Sequence, residues 1–491
     1  MSETHDPLRF WSAAQPARAA LKSARHTWNY AELEAAVAAT TEALLARDLG
    51  NGEHLALEFP PEEGTLFLVT FLAAQRLGLL PVVIPSNATA TEREAMKTRA
   101  HTDFVLTLED VAAAAAEAAS EAAAEPLLPD AVPPARRLDA PAAVVFTSGT
   151  SGAPSAVVLT HGNFLWSALA SARNLGVVPG DLWLCCLPLH HVGGLSIVTR
   201  SLAYGTAVAL HARFDADAVN RAIDEEGVTL VSLVPTMLAR LLRARGDRPF
   251  PATLRAALIG GGPIATPLLQ EAAALGLRAL PTYGLTEATS QVTTLSPADW
   301  PRGLATAGAP LLFTRVEIRD EAGRPVPAGE EGEIAVRGPT VMAGYLGDPE
   351  ANAARLRGRW LLTGDIGRVD EEGRLVVLDR RLDRIVTGGE NVSPAEVEGV
   401  LEAHPAVAEA CVVGMPSTEW GQEVVAVVAL RPGATVGLDE LRAHAGASLA
   451  PFKLPRHAMI VNALPRSAGG KLLRRVARDR FLDEVAKQKH P

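Results

Sequence analysis

The chain has 491 residues, 48% hydrophobic and 21% charged, with a formal net charge of −10. That length exceeds one ordinary core, so two or more domains are expected. An acidic balance without a basic run excludes an electrostatic binder of nucleic acid or anionic membrane, and three cysteines without CxxC spacing exclude a disulfide framework.

In chain order, the N-terminus MSETHDPLRFW lacks the apolar core of a signal peptide, and no run of about 18 apolar residues follows. A cytoplasmic protein with no membrane insertion is expected. Short β-rich runs come next: His54–Phe59, Pro81–Ile84, Asp103–Thr107, Ala142–Thr147, Leu182–Leu187, Thr206–Leu210, Thr229–Val234 and Ala256–Gly260. Helical patterns such as Glu32–Arg47, Ala216–Glu226 and Thr236–Arg245 lie between several of them. This alternation predicts α/β layers with buried, largely parallel sheets. Val111–Glu125 reads as an Ala-rich helix and Pro126–Pro141 as a Pro-rich linker. Cys185 and Cys186 fall in an apolar run and read as buried strand thiols.

After about Val316 the texture changes. Val316–Arg319, Glu333–Arg337, Trp360–Thr363 and Arg374–Leu378 follow one another without long helices, as hairpin strands do. The last hundred residues read as a separate α+β unit, with a helix over Pro394–Ala403 and strands at Ala408–Gly414 and Val424–Leu430. Two domains are expected, 1–380 and 381–491.

Five short elements carry chemistry. Thr147-Ser148-Gly149-Thr150-Ser151-Gly152 follows a strand, and its glycines, hydroxyls and backbone N–H groups suit phosphate oxygens, without the Walker spacing. Gly260-Gly261-Gly262-Pro263 ends another strand and allows a flat ligand to approach the backbone. Tyr283-Gly284-Leu285-Thr286-Glu287 offers an aromatic face, a hydroxyl and a hard oxygen for Mg²⁺. Asp365 and Arg380 could clamp ribose hydroxyls, and Lys471 in a Gly/Ser turn could meet a developing anion. Taken singly, each element also fits a turn, a cap or a structural ion pair.

In this order and spacing the elements resemble the acyl-adenylate-forming superfamily of acyl-CoA synthetases, adenylation domains and firefly-type luciferases, over nearly the whole chain. The resemblance implies a large N-terminal domain of layered sheets with helices plus a distorted β-barrel, and a small mobile α+β C-terminal domain. It implies ATP, Mg²⁺ and CoA as reaction partners, together with a small-molecule acid. It assigns residues 147–152 to phosphate, Gly261, Gly262, Pro263, Tyr283 and Gly284 to adenine, and Thr286 and Glu287 to phosphate and metal. Asp365 and Arg380 become the ribose pair and Lys471 the catalytic lysine. Gly388-Gly389-Glu390-Asn391 resembles the loop that enters the active site when the small domain rotates for the thiol step.

Leu187–Ile197, Tyr283–Thr293 and Gly388–Glu398 most resemble the o-succinylbenzoate–CoA ligase branch, which serves menaquinone synthesis. That likeness places His191 at the acid and gives Ser290 the substrate's spare carboxylate. Arg200 is a second candidate for that carboxylate and reads equally as a surface residue. A ligase for another aryl or medium-chain acid, a domain loading a carrier protein, and a non-catalytic binding homologue are the alternatives. Two departures stand out: Ser155 replaces the usual loop lysine, and Leu382 occupies the hinge position. Dimers are common in the superfamily, and no segment marks an interface for a homodimer.

Overall fold

The computed structural model describes residues 3–47, 49–102, 104–106, 136–147, 154–262, 264–379, 385–465, 472 and 474–489. Ser148–Gly152, Pro263, Arg380, Leu382, Lys471 and the Ala-rich run therefore lie outside the described residues.

Among the described residues two large sheets build the first part of the chain. One runs through nine strands, and its centre is parallel: Ala19–Lys22, Ala207–Leu210, Leu182–Cys185, Leu230–Leu233, Ala256–Ile259 and Ala279–Leu285 lie side by side in that order. The other runs through six strands, with Pro141–Thr147, Leu80–Val83, His54–Leu57 and Phe104–Leu106 parallel. The parallel strands are short apolar runs because both faces are covered by helices. Trp183, 1% exposed, shows how such burial is accommodated: its indole N–H donates to Ser232 Oγ at 3.1 Å.

The helices obey local rules. Tyr30–Leu45 opens on a reciprocal capping box between Asn29 and Glu32, and Ala90–Arg99 on one between Thr89 and Glu92. Pro235 occupies the first turn of Pro235–Arg245, where its missing N–H costs nothing.

A five-stranded antiparallel sheet follows, built on Arg315–Arg319, Gly332–Arg337, Trp360–Val369 and Leu375–Asp379. From Ile385 onward a further sheet pairs Val407–Ser417 with Gly421–Leu430, backed by helices Pro394–Glu402 and Leu438–Gly446. Its buried side chains, among them Ile385, Val397, Val412, Val428 and Leu441, form a core of their own.

Two sequence expectations need correction. The end of the supposed linker is structured: Arg136–Arg137 pairs with Glu3–Thr4, and Pro141 opens a strand. Ser155–Thr160, not expected as a strand, pairs antiparallel with Pro141–Thr147. The Gly/Ser/Thr stretch therefore connects two neighbouring strands. Cys185 and Cys186 are buried free thiols, and burial pushes Cys185 up to about 12.

Candidate active site

The site lies where the ends of the two large sheets meet the small domain. A cavity of about 180 Å³ is bounded by Gly260, Gly261, Gly284, Thr286, Ser290 and Gln291 from the large sheet, by His191 and Arg200, and by Gly388–Asn391 of the small domain. A smaller one of about 70 Å³ brings Thr147, Thr286, His191, Glu390 and Asn391 together. Sequence positions from 147 to 391 thus converge on one place.

Backbone geometry shapes the wall. Gly261 has φ +79°, which a side chain would strain. A Cβ on Gly284 would meet the Ser290 carbonyl oxygen at 1.6 Å, so no larger residue fits. Thr289 and Ser290 both have positive φ, 53° and 79°. Such non-glycine residues cost about 1–3 kcal/mol each and need anchoring. Thr289 Oγ1 donates to the Thr340 carbonyl at 2.7 Å, and the Thr289 carbonyl accepts from Ser167 Oγ at 2.9 Å. The turn is held open so that Ser290 lines the cavity.

Arg200 is buried, 2% exposed, on helix Val192–Tyr204. The surface reading of this residue is thereby corrected. Its Nη2 donates to Ser167 Oγ at 2.9 Å, while its Nε is buried with no partner among the described residues. No carboxylate among the described residues pairs with it. Burial depresses it to about 10, which leaves it cationic at neutral pH. It is the only charged residue in VGGLSIVTRSLAY, and that isolation was the available sequence signal.

Glu287 is 6% exposed. Its Oε1 accepts from the Tyr345 hydroxyl at 3.0 Å, and its Oε2 is buried without a donor among the described residues. A buried carboxylate oxygen without a donor among the described residues fits a hard divalent cation. Tyr345 was not foreseen. Tyr283 donates its hydroxyl to Asp365 Oδ2 at 2.7 Å, which joins two residues 82 positions apart.

His191 stands at the N-cap position of helix Val192–Tyr204. Its Nε2 lies 2.9 Å from Glu390 Oε2, and Asn87 Nδ2 donates to Glu390 Oε1 at 2.8 Å. Burial raises the Glu390 carboxyl, but the charge and hydrogen bond of His191, with His190 and Asn87, together outweigh it and bring it down to about 2. Burial likewise lowers His191, and Glu390 more than reverses this, so its pKa is raised. Burial, with His191 adjacent, pushes His190 down to about 3. The ligand atoms of His190, His191 and Glu390 lie within 4.8 Å of one another and could hold a metal. Both Glu390 oxygens are already engaged, so the cluster is first a domain contact.

A second cavity, of about 780 Å³, shares Leu187, Pro188, Met237, Gly388 and Glu390 with the first. Arg213, Arg240 and Arg243 also line it, with Trp420. Arg456 stacks over the Trp420 ring at 4.2 Å. The arrangement offers a path toward the first cavity for a long polyanionic ligand.

The layered α/β sheets, the cavity between the large sheet and the small domain and the adjoining larger one are those of an acid-activating enzyme, because the chain belongs to the AMP-binding enzyme family. That family's model matches residues 8–346, and the model for its C-terminal domain matches 396–471. Among curated relatives, the 2-succinylbenzoate–CoA ligase of Bacillus cereus is 45% identical over 335 residues, 68% of this chain and 69% of that one. Among solved structures, the o-succinylbenzoate CoA synthetase of Bacillus subtilis is 37% identical and covers 98% of this chain and 99% of its own. As a double mutant bound with a product analogue it superposes with a TM-score of 0.90; in complex with its acyl-adenylate intermediate the score is 0.72. The protein is an AMP-forming acid–CoA ligase. Among the described residues no helix is long and apolar enough to cross a membrane.

Proposed function

We propose that this ligase converts 2-succinylbenzoate to its CoA thioester through an acyl-adenylate, in the cytoplasm, where its three free cysteines stay reduced. ATP, Mg²⁺ and CoA are its partners in the reaction. The observation that carries the choice of acid is Arg200. A buried guanidinium without a counter-ion among the described residues, in a cavity also lined by Ser290 and Gln291, calls for an anionic group on the ligand. A diacid supplies one carboxylate for Arg200 and Ser290 and a second for activation.

In the first half-reaction an oxygen of the acid attacks the α-phosphorus and pyrophosphate leaves. The chain must hold two anions together. Glu287 would hold a divalent cation through its free oxygen; when bound, that ion supplies positive charge against the phosphates. Thr147 and Thr286 line the phosphate side. Asp365, oriented by Tyr283, is the ribose acceptor, with Arg380 its partner. Gly261, Gly262 and Gly284 provide a backbone edge for adenine, and Pro263 follows Gly262 in sequence. Lys471 supplies charge where the leaving oxygen develops it.

In the second half-reaction a thiol displaces AMP. Gly388–Asn391 lines the acid cavity, and Gly388 and Glu390 also line the larger one, so this loop shapes the passage by which the thiol arrives. His191 and Glu390 hold the loop in place. The high score against the product-analogue complex supports reading this structure as the thiol-accepting arrangement.

The test is product analysis. The purified chain with ATP, Mg²⁺ and CoA should convert 2-succinylbenzoate to one acyl-CoA of the corresponding mass, and benzoate far more slowly. Equal rates with the two acids would overturn the assignment of Arg200.

A further inference from the structure

The segment Asn87–Glu92 of the large domain makes three contacts to the small domain. Asn87 donates to Glu390, Thr89 Oγ1 donates to the Ser448 carbonyl at 3.2 Å, and Glu92 Oε1 accepts from Lys453 Nζ. The third is the buried one. Lys453 is 7% exposed and Glu92 6%. Lys453 Nζ also donates to Glu396 Oε1 at 2.8 Å, within its own domain.

The placement of Glu396 matters. It lies in the first turn of helix Pro394–Glu402, six residues after Glu390. The Lys453 cluster therefore fixes the helix that directly follows the channel loop, while His191 and Asn87 fix the loop itself. Both sets of contacts line the same small cavity next to Thr147 and Thr286.

The charges favour a contact that holds without locking. Two carboxylates share one ammonium, so the fully ionised cluster carries one net negative charge, and its burial has a desolvation cost. Lys453 keeps Glu396 when the domains separate, so release of Glu92 strands no buried lysine. Burial pushes the Glu396 carboxyl up, opposed by Lys453; burial lowers Lys453, and the two carboxylates more than reverse this.

We propose that Glu92 and Lys453 form an interdomain clamp that holds the small domain in the thiol-accepting arrangement, making both positioning residues for thioester formation and not for adenylate formation. This rests on the two-step ligase reading above.

Glu92→Gln is the discriminating variant. Its amide oxygen can keep the capping bond that Glu92 accepts from the Thr89 N–H, so the helix start survives. The expected result is a fall of about tenfold or more in acyl transfer from adenylate to CoA, with ATP–pyrophosphate exchange within about twofold of the parent. Lys453→Met should show the same split. Equal falls in both half-reactions, or no fall in acyl transfer, would overturn the proposal. A second measurement is independent of the acid. With the native cysteines buried, spin labels at Glu225→Cys and Arg431→Cys report the interdomain distance. Glu92→Gln should deplete the population at the separation seen here, and an unchanged distribution would overturn the clamp. A parent chain that forms no adenylate from 2-succinylbenzoate would contradict the acid assignment, while the label distances would still decide this proposal.

Discussion

His191 Nε2 lies 2.9 Å from Glu390 Oε2, across 199 positions of sequence and across the junction of the two domains. One residue precedes a helix of the large domain; the other sits in the loop that lines the cavity. Loss of either charge weakens this contact between the two domains.

The sign follows from the two shifts. His191 is raised above its usual value near 6.5 and Glu390 is held down to about 2. The contribution of His191 to the contact is therefore fully present below its unfolded value and is lost as pH rises through the raised folded value. Glu390 loses its contribution only as pH falls toward 2. In Glu390→Gln the His191 titration, followed by histidine NMR, should move down, because burial then acts without its opposing charge. An unchanged titration would contradict the pairing.

Glu287→Gln should retain the bond from Tyr345 through its amide oxygen while losing the anionic oxygen that faces no donor. Adenylate formation should fall by about 10²-fold or more, with a higher Mg²⁺ requirement and an unchanged melting temperature. The Mg²⁺ dependence of pyrophosphate release checks this.

Arg200→Met separates fold from function. Replacing a buried cation that has no counter-ion among the described residues by an apolar side chain of similar length should leave stability unchanged or higher. The same change should lower kcat/KM for 2-succinylbenzoate by about 10²-fold, near 2.7 kcal/mol, since a charge-assisted contact to the spare carboxylate is lost. Thermal melts and steady-state kinetics on one preparation give both answers.

Ser155 begins a strand opposite Thr147, just after the Gly/Ser/Thr stretch. The superfamily's usual lysine is missing there. Ser155→Lys should lower the KM for ATP, because one added positive charge reaches the triphosphate side. No change in that KM would mean that the backbone and the cation already suffice.

The α/β layering was legible because doubly covered parallel strands appear as short apolar runs, as at Leu80–Val83 and Ala256–Ile259. Ser155–Thr160 was missed because it follows the Gly/Ser/Thr stretch so closely that it read as part of that loop. The site motifs stood out as unusual clusters of glycine and hydroxyl residues. Their partners did not: Tyr283 with Asp365, Tyr345 with Glu287 and Lys453 with Glu92 are set by packing between distant segments, which no local pattern encodes. Arg200 lay between these cases. Its helix carries no other charge, yet only the fold shows that it is buried and lacks a carboxylate partner among the described residues.

AMP release from ATP, Mg²⁺ and CoA across a panel of acids tests most directly whether this ligase activates a diacid whose second carboxylate meets Arg200. AMP release with 2-succinylbenzoate well above that with benzoate or medium-chain fatty acids is the predicted result. Release with those monoacids and none with 2-succinylbenzoate would contradict it.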